Sequence, residues 1–500
     1  MSSIKKLAGQ TLWYGASNIF ARFLNVLLTP YLTHQFIGTP EFGKMSLVYS
    51  MIPFLYTLTM FGFETAYFRY IQKKEHEKDV YNTIITSLII STSVITIGTF
   101  FFRQSVASFI GIDNHPEYIT ISALIIALDT ISTIPFAKLR HEGRPRKYAF
   151  IRVTGILINI SVTFFFLSVF PSVYKKHPNS ILLFFYSAGF GVGYVLIGNL
   201  AQSLFQLVVL LKELLVFRWE LNKQLWKEIV IYSLPLTIAG FGGIVNETFD
   251  RVMLQKWLPL SKDLATYQVG IYSACYKLSI LISLFIQAFR LGAEPFFFKQ
   301  SLHEDAPKVY ARVMKFFVIV ICIMFLVAAL YVNIWKIIII RDPKMWEGLK
   351  VVPILLFANM FLGIYYNLSI WYRLSHKTTA GAYITLTGAA ITLIINYVFI
   401  PHFGYMASAW ATFLCYGSMM VISYKWGQKA YRIPYATKKL VAYMVIVALL
   451  YFMHHFLTGI WKGNLASLCL ATVFTTAYCW FILKIEKKEF QKLPYIGKFV

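Results

Sequence analysis

The chain has 500 residues, of which 58% are hydrophobic and only 14% charged; soluble domains carry about 25% charged residues. That excludes an ordinary water-soluble domain and makes lipid the solvent for most of the chain. The net charge of +25 would suggest nucleic acid in a soluble protein, but most Lys and Arg lie in short loops between apolar segments, which argues for membrane topology and anionic lipid headgroups instead.

A helix needs roughly 20 apolar residues to cross the hydrocarbon core. On that criterion the sequence predicts an all-α, polytopic membrane protein with about fourteen spans, at 11–36, 45–70, 81–102, 117–137, 148–170, 181–211, 229–255, 268–292, 309–332, 350–371, 380–400, 404–424, 437–457 and 464–484. The sixth segment is too long for one simple span, and Gly189, Gly191 and Gly193 mark either a break or a later start. The basic residues concentrate in alternate loops: Lys73-Lys74, KLRHEGRPRK at Lys138–Lys147, Lys425–Lys439 and the tail from Lys484. By the positive-inside rule that side is cytoplasmic, both termini included. The first apolar stretch follows Lys5 and Lys6, contains Arg22 and has no small-residue cleavage site. It reads as a retained helix and not a signal peptide.

The chain also repeats itself. Gly43-x-x-Ser46-x-x-Tyr49 opens the second span and Gly270-x-x-Ser273-x-x-Tyr276 opens the eighth. Each span ends in an aromatic, charged stretch, FGFETAYFRY at Phe61–Tyr70 and FRLGAEPFFF at Phe289–Phe298. Spans six apart run in the same direction, so the repeat predicts two parallel six-helix halves, 1–211 and 229–424. Between them, residues 212–228 mix Leu, Trp and Phe with basic side chains and predict a helix lying on the cytoplasmic surface. Residues 425–500 hold the last two spans and a basic tail. Cys275, Cys322, Cys415, Cys469 and Cys479 all fall in apolar segments without a C-x-x-C pair, so they are expected to be buried small hydrophobes.

Charge inside a bilayer costs roughly 2.5–3.5 kcal/mol per group on insertion scales, so the charges in the spans are the candidate functional residues. Arg22 and Lys277 each fall near the midplane, one in either half; an anionic headgroup leaving water needs such partners, and the alternative for each is a structural ion pair with a neighbouring helix. Asn25 shares the face of Arg22. Asp129, in the middle of its span, is either a fixed counterion or a proton carrier. Glu247 and Arg251 are four apart, with Asp250 on a nearby face; Arg290 and Glu294 repeat the spacing, which permits an intrahelical ion pair. Glu64 and Arg69 lie near a span end and can reach the interface, and Arg152 is placed to snorkel. Asn199, Gln202 and Gln206 form a polar stripe that either lines a cavity or joins helices. No P-loop, H-E-x-x-H or G-x-S-x-G stands in the sequence, so neither an enzyme nor a resident cofactor is expected. His454-His455 has the composition of a metal site but ends a span, where a polar helix end is the simpler reading.

Several segments together carry a family resemblance: TLWYGASNIFARFLNVLLTPYLT (Thr11–Thr33), TPEFGKMSLVYS (Thr39–Ser50), GFETAYFRY (Gly62–Tyr70), SLPLTIAGFGGIVNETFDRVML (Ser233–Leu254), YQVGIYSACYKLSILISLFIQAFRLGAEPFFF (Tyr267–Phe298) and NYVFIPHFGYMASAWATFLCYG (Asn396–Gly417). In these the chain resembles the polysaccharide transport branch of the multidrug/oligosaccharidyl-lipid/polysaccharide exporter superfamily. The resemblance implies a V-shaped, MATE-like pair of six-helix bundles around a cavity. It implies transfer of an undecaprenyl-pyrophosphate-linked oligosaccharide, as in O-antigen and lipopolysaccharide synthesis, with membrane lipids and a polymerase or chain-length machinery as partners and no nucleic acid. Two alternatives stand beside it. An ion-coupled multidrug exporter of the same superfamily would want an acidic cavity, against which Arg22, Lys277, Arg251 and Arg290 argue. A membrane polymerase or ligase would want a large outer loop, and the longest here, about 333–348, is short.

Overall fold

A computed structural model describes Phe20, Leu24 and residues 26–71, 77–176, 186–301, 303–375, 377–461 and 463–491. Lipid offers no hydrogen bonds, so a spanning backbone must satisfy its own N–H and C=O groups, which a helix does. Among the described residues every regular element is a helix, and 12 are long and apolar enough to cross a membrane. The chain is a multi-pass membrane protein. Half of the first expected span, Arg22 and Asn25 included, lies outside the described residues. The sixth begins late, as the shorter apolar helix Gly193–Val209.

The helices that matter below are α1 (Glu41–Met60), α2 (Phe63–Tyr70), α3 (Glu77–Phe101), α4 (Arg103–Ile110), α5 (Pro116–His141) and α6 (Pro145–Phe164). They are followed by α7 (Gly193–Val209), α8 (Lys223–Thr248), α9 (Asp250–Trp257), α10 (Lys262–Gln300), α11 (Ala306–Leu330), α12 (Val352–Leu368) and α13 (Ile370–Leu374). The last are α14 (Thr378–Phe403), α15 (Tyr405–Ala430), α16 (Thr437–Ile460) and α17 (Asn464–Ile485). They form two compact units, Met1–Ser273 with Thr379–Ala411, and Ala274–Thr378 with Thr412–Val500.

In the first unit the chain bends between α1 and α2, where Phe61 (φ 46°) and Gly62 (φ 70°) both take the left-handed conformation. Gly62 adopts it freely, whereas a residue with a Cβ resists it by about 1–2 kcal/mol. The bend turns Phe63, Ala66 and Tyr67 inward against Ile84, Ile85 and Leu88 of α3 and Ile134 of α5. The two repeat glycines meet one another. A Cβ on Gly270 would stand 3.0 Å from the backbone N of Gly43, and one on Gly43 would collide with the Thr266 carbonyl. Small residues here let α1 and α10 touch backbone to backbone.

The surface helix expected over 212–228 does not form. Leu211–Leu214 is helical, the chain then runs irregularly to Asn222, and residues 223–228 belong to the start of α8, which Asn222 caps by accepting the Leu225 N–H at 3.1 Å. The cause is on α3. The Asn82 side chain accepts the Arg218 N–H at 3.0 Å and donates to the Glu220 carboxylate at 2.9 Å, so this segment finds its hydrogen bonds on a neighbour and not within a helix. Glu213, buried just before it, accepts from Arg144 at 3.0 Å and Lys147 at 2.7 Å.

The second unit packs α12, α16 and α17 around the apolar α11, which buries Phe317, Val318, Ile321 and Phe325. Its last helix is tied in at Glu486, which accepts from Lys315 at 2.7 Å, Lys439 at 3.1 Å and the Tyr443 hydroxyl at 2.6 Å. Cys275, Cys322 and Cys415 are buried as expected, but Cys479 is half-buried and Cys469 is exposed. Cys469 lies on α17 among exposed apolar neighbours such as Leu465, Val473 and Trp480, a face that suits lipid and not the protein interior.

Candidate functional site

A charge pair of the first unit lies at the junction of α8 and α9. The helix is interrupted at Phe249, between Thr248 and Asp250. That break changes the pairing expected from four-residue spacing. Glu247 points outward and is exposed, and its part is played by its backbone carbonyl, which accepts from Arg251 at 2.8 Å. The carboxylate partner of Arg251 is Asp250, at 2.9 Å. Asp250 is buried, with its other oxygen accepting the Tyr272 hydroxyl of α10 at 2.6 Å. Spacing on a continuous helix made Glu247 the natural partner; the break brings the adjacent Asp250 round instead. The result is a buried acid and base that neutralise each other, bonded to a tyrosine, which is how a low-dielectric interior tolerates charge.

Asp129 on α5 accepts a hydrogen bond from Ser203 on α7 and feels the charge of Arg152 on α6. Arg152 does not simply snorkel. Its guanidinium sits 4.1 Å over the Phe136 ring, and its Nε is buried without a hydrogen-bond partner. The polar stripe on α7 faces α1 and α6. Asn199 accepts from Asn159 at 2.9 Å and donates to the Tyr49 hydroxyl, while Gln202 and Gln206 pack against Gly155. In this arrangement the stripe joins helices, with amides filling the groove that the missing Gly155 side chain leaves. Glu64 forms an ion pair with Arg140, whose guanidinium lies 4.8 Å over the Phe68 ring, and Arg69 stacks 4.2 Å over Tyr232.

In the second unit Lys277 is half-buried along α10, and Arg290, further along the same helix, stacks 4.0 Å over the Tyr366 ring of α12. Arg22 and Asn25 lie outside the described residues. The structure therefore gathers Asp250 with Arg251, leaves the Glu247 side chain exposed, and gives Glu64 and Asp129 separate partners. Tyr272, Ser203, Asn159 and Arg140 escaped the sequence reading. Arg140 lies within the basic stretch Lys138–Lys147, where its charge marks topology and nothing in the sequence points to Glu64, and the neutral residues carry no signal of their own. His454 spends its ring nitrogen on the Ser467 carbonyl at 3.1 Å.

Comparison with known proteins gives the context. The model of a family described as "Polysaccharide biosynthesis protein" matches residues 7–300. No curated protein matches the sequence. Among solved structures the chain is similar to "Lipid II flippase MurJ, inward closed conformation", at 12% identity over 94% of this chain and 98% of that one, with a TM-score of 0.66. It is similar also to the inward-facing conformation of a multidrug resistance MATE family transporter of the MOP superfamily, at 12% identity over 85% and 95%, with a TM-score of 0.61. At that identity the likeness is one of fold.

Proposed function

This chain belongs to the polysaccharide biosynthesis protein family, and from that premise we propose that it flips an undecaprenyl-pyrophosphate-linked oligosaccharide from the cytoplasmic to the periplasmic leaflet by alternating access. The observation that carries the reading is the combination of that family with a fold like that of a lipid flippase. Guanidinium and ammonium groups buried or half-buried in the spans of both units agree with it. An anionic pyrophosphate that leaves water needs such partners. In this reading Arg22, Asn25, Lys277, Arg251 and Arg290 meet the headgroup, the two six-helix halves alternate access around it, and Asp129 is the candidate for ion coupling. The protein would sit in the inner membrane with both termini cytoplasmic, feeding a polymerase for a surface polysaccharide.

The fold shared with a multidrug transporter keeps one rival in view, and one experiment separates them. The purified protein is reconstituted in vesicles with a labelled prenyl-pyrophosphate-linked sugar, and its exposure to an external glycosidase is followed. Wild-type protein should expose the inner-leaflet pool, and Lys277→Gln should slow this at least tenfold at unchanged membrane abundance. Export of a cationic dye with no movement of the lipid would replace the flippase by a drug exporter.

A further inference from the structure

The turn from α15 to α16 in the second unit is strongly basic. From Lys425 to Lys439 it carries Lys425, Lys429, Arg432, Lys438 and Lys439 and no acidic residue. Both flanking helices are long and apolar enough to cross a membrane, so the turn between them stands at the membrane surface. Its backbone is held in place. Gly427 makes room for the Trp371 ring of α13, from which a Cβ would stand 2.7 Å, and the Trp371 indole N–H donates to the Ser423 hydroxyl at 3.3 Å. Past the helix end the Gln428 side chain donates to the Ile433 carbonyl at 2.8 Å. That bond folds the chain back beside α15, and Ile433 is buried in one apolar cluster with Tyr310 and Ile370. The result is an open cleft of about 570 Å³ lined by Tyr424, Lys425, Trp426, Gln428, Lys429 and Arg432. Lys439, outside the cleft, is held by Glu486. Lys425, Lys429 and Arg432 are exposed, and none has a carboxylate partner among the described residues.

These features select a ligand by its chemistry. Lys425 and Lys429 are four residues apart and share a face of α15, and the folded turn brings Arg432 to the same cleft. Three cations without an acid between them call for an anion: ammonium groups attract phosphate as point charges, and a guanidinium can grip two of its oxygens. Trp426 is 43% exposed beside them. An indole at the end of a span settles at the headgroup level of a bilayer, and basic segments next to a span draw anionic lipids. The position at the ends of two spans, together with that ring, favours a lipid over a free anion or an acidic peptide. We infer that this cleft binds the phosphate headgroup of an anionic phospholipid from the surrounding bilayer. The site is independent of what the protein carries, so it stands or falls apart from the flippase reading.

The test uses the full-length protein in detergent, titrated with phosphatidylglycerol and, separately, with phosphatidylcholine; native mass spectrometry reads the fraction of protein that carries lipid. Phosphatidylglycerol should bind more tightly than phosphatidylcholine. Lys425→Gln, Lys429→Gln and Arg432→Gln combined in one chain should weaken phosphatidylglycerol at least tenfold and phosphatidylcholine little. The three side chains are exposed, so the lipid-free thermal midpoint should not move. Trp426→Ser should weaken both lipids. The control removes the same charge elsewhere: Lys212→Gln, Lys223→Gln and Lys227→Gln together, all exposed, should bind phosphatidylglycerol as wild type does. An equal loss in the control variant means diffuse attraction to the whole basic surface and overturns the site. Unchanged affinity in the folded cleft variant, or phosphatidylcholine binding as tightly as phosphatidylglycerol, overturns it too. A polyglutamate peptide that binds more tightly than phosphatidylglycerol through the same three residues gives the cleft to an acidic protein partner and removes the lipid.

Discussion

Glu213 in the first unit and Glu486 in the second are both buried carboxylates held by two cations, and they use their oxygens differently. At Glu486 both are engaged: Oε2 by Lys315 at 2.7 Å, and Oε1 by Lys439 at 3.1 Å and Tyr443 at 2.6 Å. At Glu213 both cations crowd onto Oε1, and Oε2 is buried with no partner. Burial alone would raise both carboxyls. The hydrogen bond and charge of Lys147, with Arg144, outweigh it at Glu213, and those of Lys315, with bonds from Tyr443 and Lys439, outweigh it at Glu486. Both groups therefore stay below the usual carboxylate range. An ion pair contributes most when every lone pair of the buried acid is spoken for. The second unit has a finished lock and the first an unfinished one.

That contrast can be broken by substitution. The largest effect is expected for Glu486→Gln, which leaves the nearly buried Lys315 (side chain 12% exposed) without its closest acid; a loss of about 3–5 kcal/mol is the scale for such a broken pair. It should appear as a large fall in the thermal midpoint of the detergent-solubilised protein. Glu213→Gln should cost less, about 1–3 kcal/mol, because one oxygen is already unused and Arg144, 45% exposed, can turn to water. Equal losses in the two variants would erase the distinction. The smallest effect is that of acid. Each carboxyl titrates lower in the folded than in the unfolded chain, so its contribution is fully present above the unfolded value, about 4.3 for Glu, and is lost as pH falls through the folded one. Wild type should hold its midpoint near neutrality and lose it in acid, and Glu486→Gln should lose less than wild type over the same range. A steeper loss in the variant would place the acid sensitivity elsewhere.

Much of this was readable beforehand, and the unread part follows a pattern. Apolar length located the spans because a chain in lipid has no other way to satisfy its backbone. The Gly43 and Gly270 repeat was visible as a pattern, though nothing in it said that the two glycines would meet. Asn199, Gln202 and Gln206 were visible as a stripe, but choosing between cavity and helix joint required Gly155 and Asn159 on α6. Four-residue spacing misassigned the partner of Arg251 because it presumes an unbroken helix. The segment at 212–228 has the composition of a surface helix, and Asn82, more than a hundred residues away, accepts the Arg218 N–H and holds the Glu220 carboxylate in an irregular stretch instead.

The sequence by itself determined the solvent, the class of fold and the family, since these depend on sums over many residues: apolar length, the placement of positive charge and extended motif similarity. Only the tertiary structure decided what each charge does. Whether Asp250 or Glu247 neutralises Arg251, and whether a glutamate uses one oxygen or two, are set within a few ångströms by residues distant in the chain. In a low-dielectric interior those distances fix the energy of a charge far more than its identity does.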